Sequence, residues 1–286
     1  MQLILGTVQF GQKYGIANKF GKTNQATVQD ILRLARKNNV NFLDTASAYG
    51  NVETLLGDIG VNDFNVISKL MPITNSIKNF DEWVNQSVLE ILKNTKTKKL
   101  HALLIHNAKD LLNNNGFSLY NSIKIQKKIG LIDKIGVSVY DIEDLEVIIK
   151  KFNFDIVQLP LNIFDKRFLE SNMLFKLKKL DIEIHVRSIF LQGLLLMNEK
   201  DIPIQFLNWK PILRKWNEWL VIKNITAVEA CLHFVKSCKY VDKVLIGVQN
   251  EKQLMEIIIA NNGLPINDFP DFGSQDKKLI DPREWS

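Results

Sequence analysis

The 286-residue chain is predicted to be a single-domain α/β protein, a closed (β/α)8 TIM barrel. Three observations lead there. Eight short, β-rich apolar runs alternate with longer stretches of helical period, a pattern that favours a closed barrel. Several of the runs are apolar on both alternating faces, as parallel strands covered by helices must be. The length suits one such barrel, and no composition break marks a linker. An open doubly wound sheet is the competing arrangement.

The strand runs fall at 3–7, 41–44, 65–69, 102–106, 134–138, 156–159, 183–187 and 243–247. Between them lie amphipathic segments. Residues 27–37 bring Val28, Ile31, Leu32 and Ala35 to one face. Residues 82–92 do the same with Trp83, Val84, Val88, Ile91 and Leu92, and 142–151 follows suit. Two segments depart from the repeat. An insertion at 194–224 carries Trp209, Trp216 and Trp219 at spacings that share a helix face. These indoles either pack the extra helix onto the barrel or wall a pocket, because loops after barrel strands lie at the catalytic end. The tail, 263–286, is rich in Gly, Pro and Asp and ends in Asp281-Pro282-Arg283-Glu284-Trp285.

Hydrophobic residues make up 46% and charged residues 24%, a balance that supports a substantial core. The formal net charge is +6, with the lysines scattered through predicted helices. No basic run is interleaved with aromatics, so a nucleic-acid partner is not expected, although a modest positive potential would attract a phosphorylated cofactor. Cys231 and Cys238 are seven positions apart on one predicted helix, about 10 Å by helical rise and too far for a disulfide. They lack metal-site spacing and read as buried apolar residues of a reducing compartment. With no signal-like N-terminus and no stretch of membrane-spanning length, a cytoplasmic protein without a membrane partner is expected.

Asp44, Tyr49, Lys69 and His106 fall where predicted strands run out into loops. If the strands are neighbours in one barrel, a carboxylate, a phenol, an ammonium and an imidazole gather at one mouth. Carbonyl reduction needs a hydride on carbon and a proton on the developing alkoxide. An unperturbed phenol, with a pKa of about 10, is a reluctant donor at neutral pH. The Lys69 ammonium would lower that value, Asp44 would hold Lys69 charged, and His106 would orient the carbonyl oxygen or relay the proton.

The run Phe42-Leu43-Asp44-Thr45-Ala46-Ser47-Ala48-Tyr49-Gly50, followed by Glu53 and Leu56-Gly57, resembles the signature of the aldo/keto reductase superfamily. The likeness spans nearly the whole chain. It continues through Leu5-Gly6-Thr7, Ser68-Lys69, Leu104-Ile105-His106, Gly136-Val137-Ser138, Val157-Gln158 and Leu245-Ile246-Gly247-Val248. The resemblance implies a nicotinamide dinucleotide, NADP(H) with NAD(H) as the alternative, bound by a barrel without a Rossmann domain. It makes Tyr49 the proton donor of an Asp44, Tyr49, Lys69 and His106 tetrad. Implied cofactor positions are Gly6, Thr7, Ser138, Gln158, Arg187, Ser188, Gly193, Gly247, Gln249, Gln253 and Glu256. A helix beginning near Asn250 would offer backbone N–H groups to a phosphate.

The pattern departs in three places. Val139 replaces the usual Asn after Ser138, Ile257 replaces an adenine-binding Asn, and Arg187 stands where the family stacks an aromatic on the nicotinamide. Arg187 is therefore a ring platform, a clamp for an anionic substrate group or part of an ion pair. Lys252 is the local candidate for a 2′-phosphate, and no metal site is expected. The run from Arg187 to Leu196 and the Asp-Pro-Arg-Glu-Trp finish resemble bacterial reductases associated with surface-polysaccharide biosynthesis. The expected activity is NAD(P)H-dependent reduction of a small aldehyde or ketone, including sugar-derived carbonyls. Two other readings are a catalytically weak nicotinamide-binding scaffold and a lyase using Lys69 as a Schiff base.

Overall fold

In the computed structural model, which describes residues 1–266 and 268–285, eight parallel strands close in sequence order into one barrel. They are β1 (Gln2–Gly6), β2 (Phe42–Asp44), β3 (Asn65–Leu70), β4 (Leu100–Ile105), β5 (Ile132–Ser138), β6 (Ile156–Pro160), β7 (Glu183–Arg187) and β8 (Lys243–Gly247). β7 and β8 match the expected runs. β4 and β5 each begin two residues earlier, because barrel pairing extends them beyond their most apolar stretch.

The helices follow the apolar periodicity. Gln25–Lys37 buries Val28, Ile31, Leu32 and Ala35, and the Asn24 side chain caps it by accepting from Thr27 N. Phe80–Thr95 begins under an Asn79 cap and buries Val84, Val88, Ile91 and Leu92. Ile142–Lys151 has the bounds its pattern predicts.

Alternation along the strands sorts the barrel interior into layers. Ile4, Ile67, Ala102, Leu104 and Ile156 fill the middle, with Phe42 and Leu245 against them. At the N-terminal end the interior becomes ionic. Glu183 accepts from Lys134, from Lys243 and from His185 Nε2 at 2.8 Å. Burial opposes the Glu183 charge, yet these three partners hold its carboxyl well below the usual carboxylate range. The C-terminal ends of the strands carry Asp44, Lys69, Gln158 and Arg187. Register sets their order around the rim: Gly6 lies opposite both Asp44 and Gly247, and Gln158 opposite both Ser138 and His185.

The insertion folds as a series of 3-10 turns followed by the helix Lys210–Lys223. Its tryptophans pack the helix down. Trp216 is buried, stacks on Trp219 at 5.6 Å and donates to Leu195 O at 3.0 Å. Trp209 reaches Asp276 at 3.0 Å. The tail, expected to be irregular, contains the short helix Lys277–Ile280, buries Leu279, Ile280 and Asp281, and sets Trp285 against Phe206. Its residues 267 and 286 lie outside the described set. Cys231 and Cys238 are free and buried, with both thiols pushed up by burial. No helix among the described residues is long and apolar enough to cross a membrane.

The ionic layer has a measurable consequence. Glu183→Gln leaves two ammonium groups without their carboxylate and should cost about 3 kcal/mol in chemical denaturation at neutral pH. A depressed folded-state pKa gives stability that is present above the unfolded value of 4.5 and lost as pH falls. The gap between wild type and variant should therefore shrink below pH 4.5.

Candidate active site

The C-terminal rim brings the four strand-end residues together. Asp44 closes β2, and its backbone carbonyl accepts from Thr7 N and from Thr7 Oγ1, each at 3.0 Å. Lys69, in β3, is 2% exposed; it forms an ion pair with Asp44 and donates to Thr45 O at 3.0 Å. Its Nζ also lies 3.5 Å from Tyr49 Oη. Tyr49 stands in the loop before the helix Val52–Ile59, edge-on to His106 with ring centroids 6.0 Å apart. His106 follows the last residue of β4. Gln158 Nε2 donates to the second Asp44 oxygen at 2.8 Å, so that carboxylate is held from both β3 and β6. Behind Lys69, Ser68 Oγ donates to the buried Glu53 at 2.6 Å, which ties the signature glutamate to the lysine strand.

The electrostatics correct one expectation. Lys69 was expected to bring the Tyr49 phenol below its ordinary value. Burial dominates instead and raises it, with the Lys69 ammonium the largest opposing influence. Burial also works against the Lys69 charge, but Asp44 and Tyr49 outweigh it, and the amine stays protonated above its ordinary range. Such an ammonium has no lone pair to attack a carbonyl, which counts against a Schiff-base role. His106 is pushed down to about 4 by burial and then by Lys69, so its imidazole is neutral at physiological pH. Its Nδ1 has no protein partner among the described residues.

A cavity of about 240 Å³ opens over the quartet. Gly6, Thr7, Ser138, Gln158, Arg187, Ser188 and Gly247 also line it. A second cavity, of about 340 Å³, adjoins it and is lined by Gly193, Gly247, Gln249, Gln253 and Glu256. Gln9, Tyr14, Phe190, Gln192 and Gly247 border both cavities. All eleven cofactor positions implied by the sequence thus border one two-part channel. A nicotinamide dinucleotide fits the donor set. Gln158 Oε1 is buried without a partner among the described residues and is free to accept from a carboxamide. The phosphate site near Asn250 is less open than its helix suggests. The Asn250 side chain accepts from Gln253 N, and Gln249 N is taken by Gln253 Oε1 at 2.7 Å.

The three tryptophans border neither cavity. Tyr14 and Tyr140 do line the site, and sequence reasoning missed both. Tyr14 sits in a loop without periodicity and is 38% exposed. Tyr140 lies two positions past Ser138, within reach of a strand-end search.

The aldo/keto reductase family pattern matches residues 2–272. The chain belongs to that family and is an NAD(P)H-dependent oxidoreductase. A search of curated proteins finds no match. Among solved structures, aldo-keto reductase AKR11C1 from Bacillus halodurans is similar at 17% identity and a TM-score of 0.77, over 93% of this chain and 88% of that one. The glycerol dehydrogenase AKR11B4 from Gluconobacter oxydans is similar at 18% identity and a TM-score of 0.71, over 93% and 87%. At these identities the likeness is one of fold.

Gly11 is a further positioning residue that the sequence did not reveal. A Cβ there would lie 1.9 Å from the Tyr49 carbonyl oxygen and 2.3 Å from Val52 Cγ2. Gly11→Ala should displace the Tyr49 loop, lower the thermal midpoint and reduce turnover at least tenfold, measured by a melt and an initial-rate assay. A variant with wild-type rate would show that the loop tolerates the shift.

Proposed function

We propose that the chain is an NADP(H)-dependent reductase of small aldehydes or ketones, including sugar-derived carbonyl compounds, with Tyr49 as proton donor. The observation that carries the reading is the buried relay at the rim. The Tyr49 hydroxyl lies 3.5 Å from an ammonium that Asp44 holds in place and keeps charged.

When bound, the nicotinamide dinucleotide supplies the hydride. The protein supplies the rest. Neutral His106 offers a ring N–H that can orient the carbonyl oxygen toward Tyr49 without adding a competing charge. As negative charge develops on that oxygen, the Tyr49 O–H transfers its proton, and the nearby Lys69 ammonium stabilises the phenolate left behind. The ammonium thus acts on the reacting state although burial sets the resting phenol. Gln158 anchors Asp44 through its N–H and keeps its carbonyl oxygen for the cofactor amide.

Two features favour NADP(H) and a hydroxyl-rich substrate. A cleft of about 260 Å³ shares Gln249 with the channel and is lined by Lys22, an ammonium for a 2′-phosphate that now donates to Asn51 Oδ1 at 2.8 Å, whereas Lys252 borders neither the cleft nor the channel. Beside the quartet, another cavity of about 260 Å³ continues past His106, lined by Asn107, Tyr140, Asp141 and Asp144, groups that can accept from or donate to sugar hydroxyls.

Oxidation of NADPH, followed by its absorbance against a panel of aldehydes and keto sugars, should reveal turnover. Tyr49→Phe should reduce it about 10³-fold, while NADPH affinity measured by fluorescence stays within about threefold. Turnover that survives in Tyr49→Phe would remove the tyrosine from the proton-donor role.

A further inference from the structure

We infer that Arg187 recognises a carboxylate or phosphate on the carbonyl substrate, and that Tyr140 and the C-terminal tail hold it there. The inference rests on the reductase reading and names the substrate class of that site. Arg187 ends β7 and lines the same cavity as Tyr49 and His106.

The cavity is bordered by Asp44 and Lys69, which neutralise one another, by neutral His106, and by Arg187. Among the described residues, no carboxylate lies within ion-pair distance of Arg187. The cavity therefore carries one uncompensated positive charge, in a partly buried place where such a charge is costly without an anionic partner.

The Arg187 guanidinium donates to Val139 O at 2.9 Å and to Ser188 Oγ at 3.3 Å. Three of its five N–H donors have no protein partner among the described residues. A ring platform would use the face of the guanidinium and leave those donors idle. A carboxylate or phosphate uses them edge-on, in the fork geometry that favours bidentate pairing.

Arg187 is also held in place by an aromatic ring. Its Cζ lies 3.7 Å from the centroid of the Tyr140 ring, and Arg283 Cζ lies 4.1 Å from the same centroid. Two guanidinium groups this close to one ring cannot share a face, so Tyr140 lies between them. Arg283 is itself neutralised by Asp281 and Asp141, and Lys277 also binds Asp141 at 3.0 Å. The tail thus fixes Tyr140, and Tyr140 fixes the plane of Arg187. Because Tyr49, His106 and Arg187 border one cavity of about 240 Å³, carbonyl and anion must lie within a few carbon atoms of each other.

The test compares succinic semialdehyde with butanal, and glyceraldehyde 3-phosphate with glyceraldehyde, for wild type and Arg187→Gln. Wild type should favour the anionic member of at least one pair by about 10- to 100-fold in kcat/KM, the range of one or two charge-assisted hydrogen bonds. Which pair shows the effect distinguishes carboxylate from phosphate. Arg187→Gln should abolish the preference by lowering kcat/KM at least about tenfold more for the anionic member of the pair than for its neutral partner, and leave NADPH and NADP+ dissociation constants, measured by calorimetry, unchanged. Tyr140→Phe should keep the preference, whereas Tyr140→Ala and Arg283→Gln should weaken it. Loss of cofactor affinity in Arg187→Gln, or equal loss on charged and neutral substrates, would make Arg187 a nicotinamide platform and overturn the inference. Full preference in Tyr140→Ala and Arg283→Gln would overturn the positioning by the tail. If none of the four aldehydes turns over, the reductase reading fails separately. Calorimetric binding of succinate or inorganic phosphate to the NADP+ complex then decides for Arg187: binding lost in Arg187→Gln supports it, and no binding by wild type overturns it.

Discussion

The buried pair of Lys69 and Asp44 is the constraint on which the rim depends. Neither charge could stand alone at 2% and 1% exposure, and each is tolerable because it meets the other with further polar contacts. Lys69 also reaches Thr45 O and approaches Tyr49, while Asp44 accepts from Gln158. Remove either charge and the other is left unpaired in a low-dielectric site. The cost of this arrangement is spread over β2, β3 and β6, which must close into one barrel before the pair can form.

The barrel separates stability from chemistry along its axis. An apolar middle layer lies between an ionic cluster around Glu183 at the N-terminal end and the Asp44–Lys69 pair at the C-terminal end. The rim pair is buried and the ionic cluster partly so, and their partners differ. Glu183 spends its oxygens on Lys134, Lys243 and His185. Ring nitrogens of His101 and His185 are unpaired there too, but at the rim Gln158 Oε1, His106 Nδ1 and three Arg187 donors, without protein partners among the described residues, belong to side chains that border a cavity. Unspent hydrogen-bonding capacity beside a cavity is what distinguishes a site from a plug.

Much of this was legible in the sequence, and the reasons differ by residue. The strands were readable because a parallel strand between helices must be apolar on both faces, and β7 and β8 fall where their runs predict. Asp44, Lys69 and His106 could be placed because strand ends in a barrel converge. The direction of the Tyr49 shift was not readable, because it depends on how deeply the fold buries the phenol against how near the ammonium lies. Tyr14 and Tyr140 were missed because loop residues carry no period, and Gly11 because its importance is a close approach to a distant backbone. The tryptophans of the insertion, readable either as a wall or as packing, are packing.

The chemistry of the site turns on the pull of Lys69 against burial at Tyr49. The decisive measurement is the spectroscopic titration of the Tyr49 phenol in wild type and in Lys69→Met, with a Tyr49→Phe background subtracted from each. In wild type the phenol should titrate above its ordinary 10.0. Without the ammonium, burial and the remaining Asp44 charge are opposed by the weaker influence of Arg187, and the titration should move to still higher pH. A Lys69→Met titration that stays in place or moves down would contradict the coupling at the centre of the site.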